Sequence, residues 1–318
     1  MPPMSDLRRA VETVFGPCLG VRPEENVVVV VDRTTAPLGE ALREAATTAG
    51  AEAVTVVMEP RGVDGEEPPA PVAAALAAAA VFIAPTARSL SHTRARKAAS
   101  DGGARGATLP GVTEDMLARL MACDFPTMAR RSRAIAELLT AADAAHVTCP
   151  RGTDLRLDLS GREGISDDGH LSGDRAFGNL PCGEGFISPL GGEGTVVAAT
   201  LASLGLPDAP VQLTVEGGRL ADASGEWGAR WTGLMDAAGA SGRNLAELGV
   251  GTNERATLTG NILEDEKILG TVHVAFGASA GIGGTVNVPV HLDCLVQEPT
   301  LDVGGTRVLE SGRFVLDA

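Results

Sequence analysis

Two imidazoles and four carboxylates of this sequence sit in spacings that could hold a metal ion. His291-Leu292-Asp293 places an imidazole and a carboxylate two residues apart. Around them Val288, Val290, Leu292 and Cys294 fall on one side of a period-two pattern, with Pro289, His291 and Asp293 on the other. On a strand both polar side chains leave the same face, which sets two metal ligands side by side. The same alternation also describes an ordinary half-buried strand with a polar outer face. Upstream, Glu184 follows the turn Pro181-Cys182-Gly183. A carboxylate fixed there suits a metal ligand or a general base, and equally an incidental surface turn. Glu247 alternates with Leu248 on a short strand and by itself reads as a surface residue. Glu266 and His273 are seven residues apart and share a face if residues 266–274 form a helix. Gly270 weakens that helix and would allow another segment to approach closely.

The elements that must position these groups change character along the chain. Residues 27–31 are an unbroken valine run, which predicts a strand buried on both faces. A helix over 38–49 closed by Gly50, a strand over 53–58, a helix over 72–80 and a strand over 81–84 follow. Strand–helix–strand order with short connections predicts a doubly wound parallel sheet. No G-x-G-x-x-G follows Val31, which argues against a dinucleotide. At the carboxyl end of the third strand, residues 89–97 carry His92, Arg94, Arg96 and Lys97. They could meet an acidic substrate group or form a solvated basic helix. Further helices are expected over 113–120 and 128–142.

Beyond Pro150-Arg151-Gly152 the chain turns to glycine and short alternating strands, such as Leu155, Leu157 and Leu159. Residues 211–215 with 219–223, and 306–309 with 313–316, read as hairpins. The expected fold class is therefore α/β plus α+β. A doubly wound N-terminal domain over 1–150 precedes a second domain over 151–318.

Composition narrows the partners. With 44% apolar and 21% charged residues, the 318-residue chain can bury a full core. Its net charge of -15 argues against nucleic acid and anionic membranes, which need a basic surface, and is compatible with a binder of cations. The basic residues are nearly all arginine; the only lysines are Lys97 and Lys267. Five scattered cysteines without C-x-x-C spacing do not form a disulfide framework or a cysteine zinc site. Residues 1–9 lack the apolar core of a signal peptide, and the alanine-rich run 71–85 is too short to span a bilayer, so a cytoplasmic protein is expected.

Together these stretches resemble the aminopeptidase T family of metallopeptidases. The resemblance runs through Ser91-His92-Thr93-Arg94, Leu109-Pro110-Gly111-Val112-Thr113, Gly152-Thr153-Asp154 and Asn179-Leu180-Pro181-Cys182-Gly183-Glu184. It continues through Ala246-Glu247-Leu248-Gly249, Asp265-Glu266 with His273, and His291-Leu292-Asp293. It implies an α/β N-terminal domain, a β-rich metal-binding catalytic domain, a homodimer and a pair of divalent metal ions (Zn, Co or Mn). Glu184, Glu247, His273, His291 and Asp293 are then the metal ligands. Glu184 and Glu266 are the candidate catalytic carboxylates, with Glu266 as ligand orienter or proton shuttle. The activity implied is an aminopeptidase-like hydrolase, a metalloprotease acting on a peptide or small molecule beside a free amino group. The sequence departs from the family at Ala280, which stands where the family has a tyrosine. The 2,5-dihydroxypyridine 5,6-dioxygenases resemble the same scaffold. Their two histidines and one aspartate holding a single Fe(II) match His273, His291 and Asp293.

Overall fold

The computed structural model describes residues 4–316, which divide into two compact units. Of these, residues 4–123 and 169–182 form the first, and 124–168 and 183–316 the second. The expected boundary at 150 falls inside the second unit, between the strands Ala144–Thr148 and Asp154–Asp158, which pair antiparallel. The Gly/Pro turn there is a hairpin connection, and such turns look alike in sequence whether they join strands or domains.

In the first unit, the strands Glu52–Met58, Asn26–Asp32, Val81–Ala84, Arg105–Thr108 and Phe177–Asn179 form one parallel sheet in that order. The valine run Val27 to Val31 is at most 5% exposed, as covering on both faces requires. Helices Ala36–Thr48, Ala70–Ala78, Arg94–Asp101 and Glu114–Leu120 alternate with the strands. The last strand, Phe177–Asn179, is supplied by chain that has first passed through the other unit.

The second unit holds two antiparallel sheets, of eight and six strands. Alternate residues of both enter one apolar core, including Leu155, Leu157, Val211, Leu213, Val215, Leu248, Val274 and Leu292. Trp231 closes this core, edge-on to Phe276 and donating its indole N–H to the Ala202 carbonyl at 3.1 Å. The two hairpins expected from the sequence are present, at Val211–Glu216 with Arg219–Ala223 and at Thr306–Glu310 with Arg313–Phe314. The expected α/β plus α+β class holds.

One element differs. Residues 266–274 are not helical. A single turn, Ile262–Asp265, is followed by a loop, and His273 lies on the strand Val272–Gly277. Gly270 is incompatible with a continuous helix over 266–274: its φ is +86°, and a Cβ would strike the Gly312 carbonyl, so a second segment does pass against it. Among the described residues no helix is long and apolar enough to cross a membrane.

Candidate metal centre

The site is laid out on the six-stranded sheet, where strands Glu184–Ile187, Leu245–Gly251, Val272–Gly277 and His291–Val296 lie side by side. Register sets which groups meet. Ala275 faces Glu247 on one side and Asp293 on the other, and His273 faces Gly249. Gly277 faces His291, and Gly251 faces Glu184. Directly opposed residues share a face of the sheet, so all five expected ligands rise from one face. The opposite face carries Ile187, Leu248, Val250, Val274, Phe276 and Cys294 into the core. The alternation that puts apolar residues inward therefore aims the acids and imidazoles the other way.

Glycine leaves the room these groups occupy. The His273 ring lies over Gly249, and a Cβ there would come within 2.0 Å of Nε2. At Gly251 a Cβ would strike the backbone of Lys267 and Ile268. That segment is held by Asn253, whose N–H donates to the Lys267 carbonyl at 2.9 Å and whose carbonyl accepts from Leu269 N–H at 3.1 Å. Of the acidic run 264–266, Glu264 and Asp265 face away: they accept backbone N–H bonds from Thr257, Thr259 and Gly260 and anchor that loop. Glu266 and Lys267 turn toward the ligands.

The five residues come together as two groups of three with one member in common. Glu184, Glu247 and His273 form the first group, and Glu247, His291 and Asp293 the second. The Glu247 carboxylate stands between the imidazoles, with Oε1 3.4 Å from His273 Nε2 and Oε2 3.1 Å from His291 Nε2. Asp293 Oδ1 is 3.6 Å from His291 Nε2, and Glu184 Oε2 is 3.2 Å from His273 Nε2. Expected from its own strand to face solvent, Glu247 is only 6% exposed. His291 Nδ1 lies 2.7 Å from the Ala278 carbonyl, a contact an N–H makes, which in the neutral ring leaves the Nε2 lone pair toward the carboxylates.

Lys267 and Asp167 join the site without having been expected there from the sequence. Lys267 is fully buried, with Nζ 2.5 Å from Glu184 Oε1, 2.7 Å from Glu266 Oε1 and 3.5 Å from Asp167 Oδ2. Asp167 faces Glu184 in register from the strand Gly164–Asp167. The available signal was compositional: Lys267 is one of two lysines in an arginine-rich chain and follows three acids. The basic stretch 89–97, by contrast, is committed within the first unit. There Arg94 pairs with Glu67 and Lys97 with Asp101, while Arg96 donates to the Ser91 carbonyl and lies 4.0 Å over the Phe177 ring. Ala280 stands exposed in the short turn Ala280–Ile282.

Crowded charge perturbs the members of this cluster. Burial pushes Asp167 up to about 7 and Glu266 up to about 8, with the Lys267 ammonium offsetting part of the rise. Burial also works against ionisation of Glu184 and Glu247, but Lys267 and His273 hold Glu184, and His273 and His291 hold Glu247, below the usual carboxylate range. Burial would neutralise Lys267, His273 and His291, yet the surrounding carboxylates raise all three well above their ordinary values.

The donor set fits a divalent ion. Glu184 Oε2 and Asp167 Oδ2 are buried without a hydrogen-bond partner, so Glu184 Oε2 sits near an imidazole nitrogen that it does not bond. Nitrogen and carboxylate oxygen donors without thiolate suit Zn, Mn, Co or Fe(II). A cation would satisfy the orphaned oxygen and replace the protons that the carboxylates now hold on the imidazoles.

The chain matches the family model described as NicX, 2,5-dihydroxypyridine 5,6-dioxygenase, over residues 6–316. No curated protein sequence matches it. Among solved structures it is similar to the 2,5-dihydroxypyridine dioxygenase of Pseudomonas putida KT2440, with 20% identity, a TM-score of 0.83 and 98% of each chain covered. It is also similar to wild-type AmpT from Thermus thermophilus, with 20% identity, a TM-score of 0.71, and 98% of this chain and 99% of that one covered. At such identity both likenesses establish the fold.

Proposed function

Because the chain belongs to the 2,5-dihydroxypyridine 5,6-dioxygenase family, we propose that it is a non-haem Fe(II) dioxygenase opening the ring of a small dihydroxylated aromatic substrate. The observation that carries this over the aminopeptidase reading is the family match along nearly the whole chain, in a sequence with no tyrosine and with Ala280 at the position expected to be one. His273, His291 and Asp293 would hold the ion, with Glu247 between the two imidazoles. Two histidines and a carboxylate leave coordination positions open, and bound Fe(II) would supply the centre at which substrate and dioxygen react. Glu184 is kept ionised by Lys267 and by its place beside His273. Glu266, poised near 8, is suited to hold and return a proton at neutral pH. The partner is a small molecule rather than nucleic acid or membrane, in a cytoplasmic homodimer.

One feature favours a second reading, an aminopeptidase-like hydrolase. Glu247 is shared by the two groups as a carboxylate bridging two metal ions would be. The two readings separate in one experiment. Fe(II)-loaded protein is mixed with 2,5-dihydroxypyridine in an oxygen electrode, and Zn-, Co- or Mn-loaded protein is assayed on aminoacyl amides without oxygen. Stoichiometric oxygen uptake with loss of the aromatic chromophore is expected. Amide hydrolysis under anaerobic conditions, with no oxygen uptake, would overturn the proposal.

A further inference from the structure

The ligand face is a cradle for two cations, and we infer that Lys267 supplies one of them, so that the site takes a single divalent ion and gains a second when the lysine charge is removed. The inference rests on the metal-binding reading above but not on the ring-cleaving reaction.

Two observations carry it. The first is that five ligands form two overlapping groups sharing Glu247, a layout with room for two cations. The second is that the Glu184 half already contains one. The Lys267 ammonium has three N–H donors, and three carboxylates surround it, those of Glu184, Glu266 and Asp167. It takes Glu184 Oε1 and leaves Oε2, beside His273, as the only oxygen of that residue still open. A divalent ion held by Glu184, Glu247 and His273 would share the Glu184 carboxylate with the ammonium. Two positive charges would then face each other across one carboxyl group in a site screened from water. The carboxylates of Glu247 and Asp293, by contrast, lie beside imidazole nitrogens that are themselves metal donors, with His273 Nε2 next to Glu247 and His291 Nε2 next to both. A single ion can therefore be held by the two histidines and Asp293 without facing the ammonium across a shared Glu184 carboxylate.

The ammonium is also fixed in place. Asn253 clamps the backbone on both sides of Ile268, and the absence of a side chain at Gly251 lets that backbone lie on the sheet directly opposite Glu184. Lys267 is fully buried, and its ammonium lies among the three carboxylates with its backbone tied to Asn253. Lysine suits the role better than arginine because its charge is compact and occupies the volume of a small ion.

The test counts ions. Chelator-stripped full-length protein is titrated with Mn2+ by calorimetry, and metal retained after gel filtration is measured by elemental analysis. The wild type is expected to hold one Mn2+ per chain at saturation. Lys267→Ala, and Lys267→Met as a variant that keeps the side-chain volume, are expected to hold two, while Lys267→Arg keeps one. Circular dichroism confirms that each variant is folded. Two ions in the wild type overturn the inference without recourse to any variant. So does a folded Lys267→Ala or Lys267→Met that stays at one. Counts of one and two without oxygen uptake would sink the reaction and leave the inference standing. Oxygen uptake by a wild type holding two ions would do the reverse.

Discussion

Gly249→Ala is expected to unseat His273 while leaving every ligand in the sequence. A Cβ at residue 249 would lie 2.0 Å from His273 Nε2, 2.2 Å from Cε1 and 2.8 Å from Cδ2. Carbon contacts need about 3.5 Å, so the ring must move by more than an ångström. It has little freedom to do so, because His273 is fully buried and its strand is paired on both sides. Overpacking of this kind costs about 1–3 kcal/mol of stability. Disturbing a group that merely orients a metal ligand costs about 10–100-fold in affinity. Displacing a ligand outright should cost at least the upper figure, about 2.8 kcal/mol. Calorimetric titration with Mn2+ reads the affinity, and urea unfolding of the metal-free protein reads the stability. Gly233→Ala is the control. Gly233 lies in the helix Gly225–Asp236 with open space where its Cβ would be, so alanine there should leave metal affinity unchanged and stabilise by about 0.4–1 kcal/mol. A Gly249→Ala protein that binds Mn2+ within about twofold of the wild type, well short of the loss expected for a displaced ligand, would refute the place given to His273.

Two further outcomes follow from the charges. His273 and His291 are held protonated well above their ordinary range by the carboxylates, so an arriving ion must displace protons. Mn2+ affinity should therefore rise with pH across neutrality. The binding enthalpy should vary with the ionisation enthalpy of the buffer, and an enthalpy independent of buffer would contradict the protonation assigned. In the first unit, the hydrogen bond from Arg105 holds the Glu25 carboxyl below its usual value. A depressed carboxyl stabilises the fold above its unfolded pKa and loses that contribution as pH falls. Glu25→Gln should thus cost about 2 kcal/mol at pH 7. In denaturant titrations the gap from wild type should close below about pH 4, and a gap constant down to about pH 3, below the ordinary glutamate range, would count against it.

Much of this site was legible before folding, for reasons visible in particular residues. His291 to Val296 alternates because Leu292, Cys294 and Val296 enter an apolar core, which sends His291 and Asp293 out together, while Val288 and Pro289, part of the same pattern in the sequence, lie before the strand begins. The valine run at 27–31 was equally plain, since a strand covered on both faces has no reason to alternate. His273 was harder. Val272, Val274 and Phe276 alternate like a strand, but the acidic run before them reads as the start of a helix, and only the positive φ at Gly270 separates the two. Glu247 looked like a surface residue because its burial comes from neighbouring strands rather than its own. The strand Phe177–Asn179 is too short to carry a periodic signal, so its return to the first unit could not be read.

By itself the sequence determined the donor types, the strands that bear most of them and the face from which they point. These depend on local periodicity, which a chain carries whether folded or not. Tertiary structure decided which donors meet. Glu184, Glu247, His273 and Asp293 are far apart along the chain and become neighbours only through strand register, which is set by long-range hydrogen bonding and by what glycines 249 and 251 admit. It also decided that a lysine next to Glu266 would be buried among three carboxylates instead of exposed. Burial of a charge is settled by what surrounds it in space, and the carboxylates that make it tolerable here come from three separate segments.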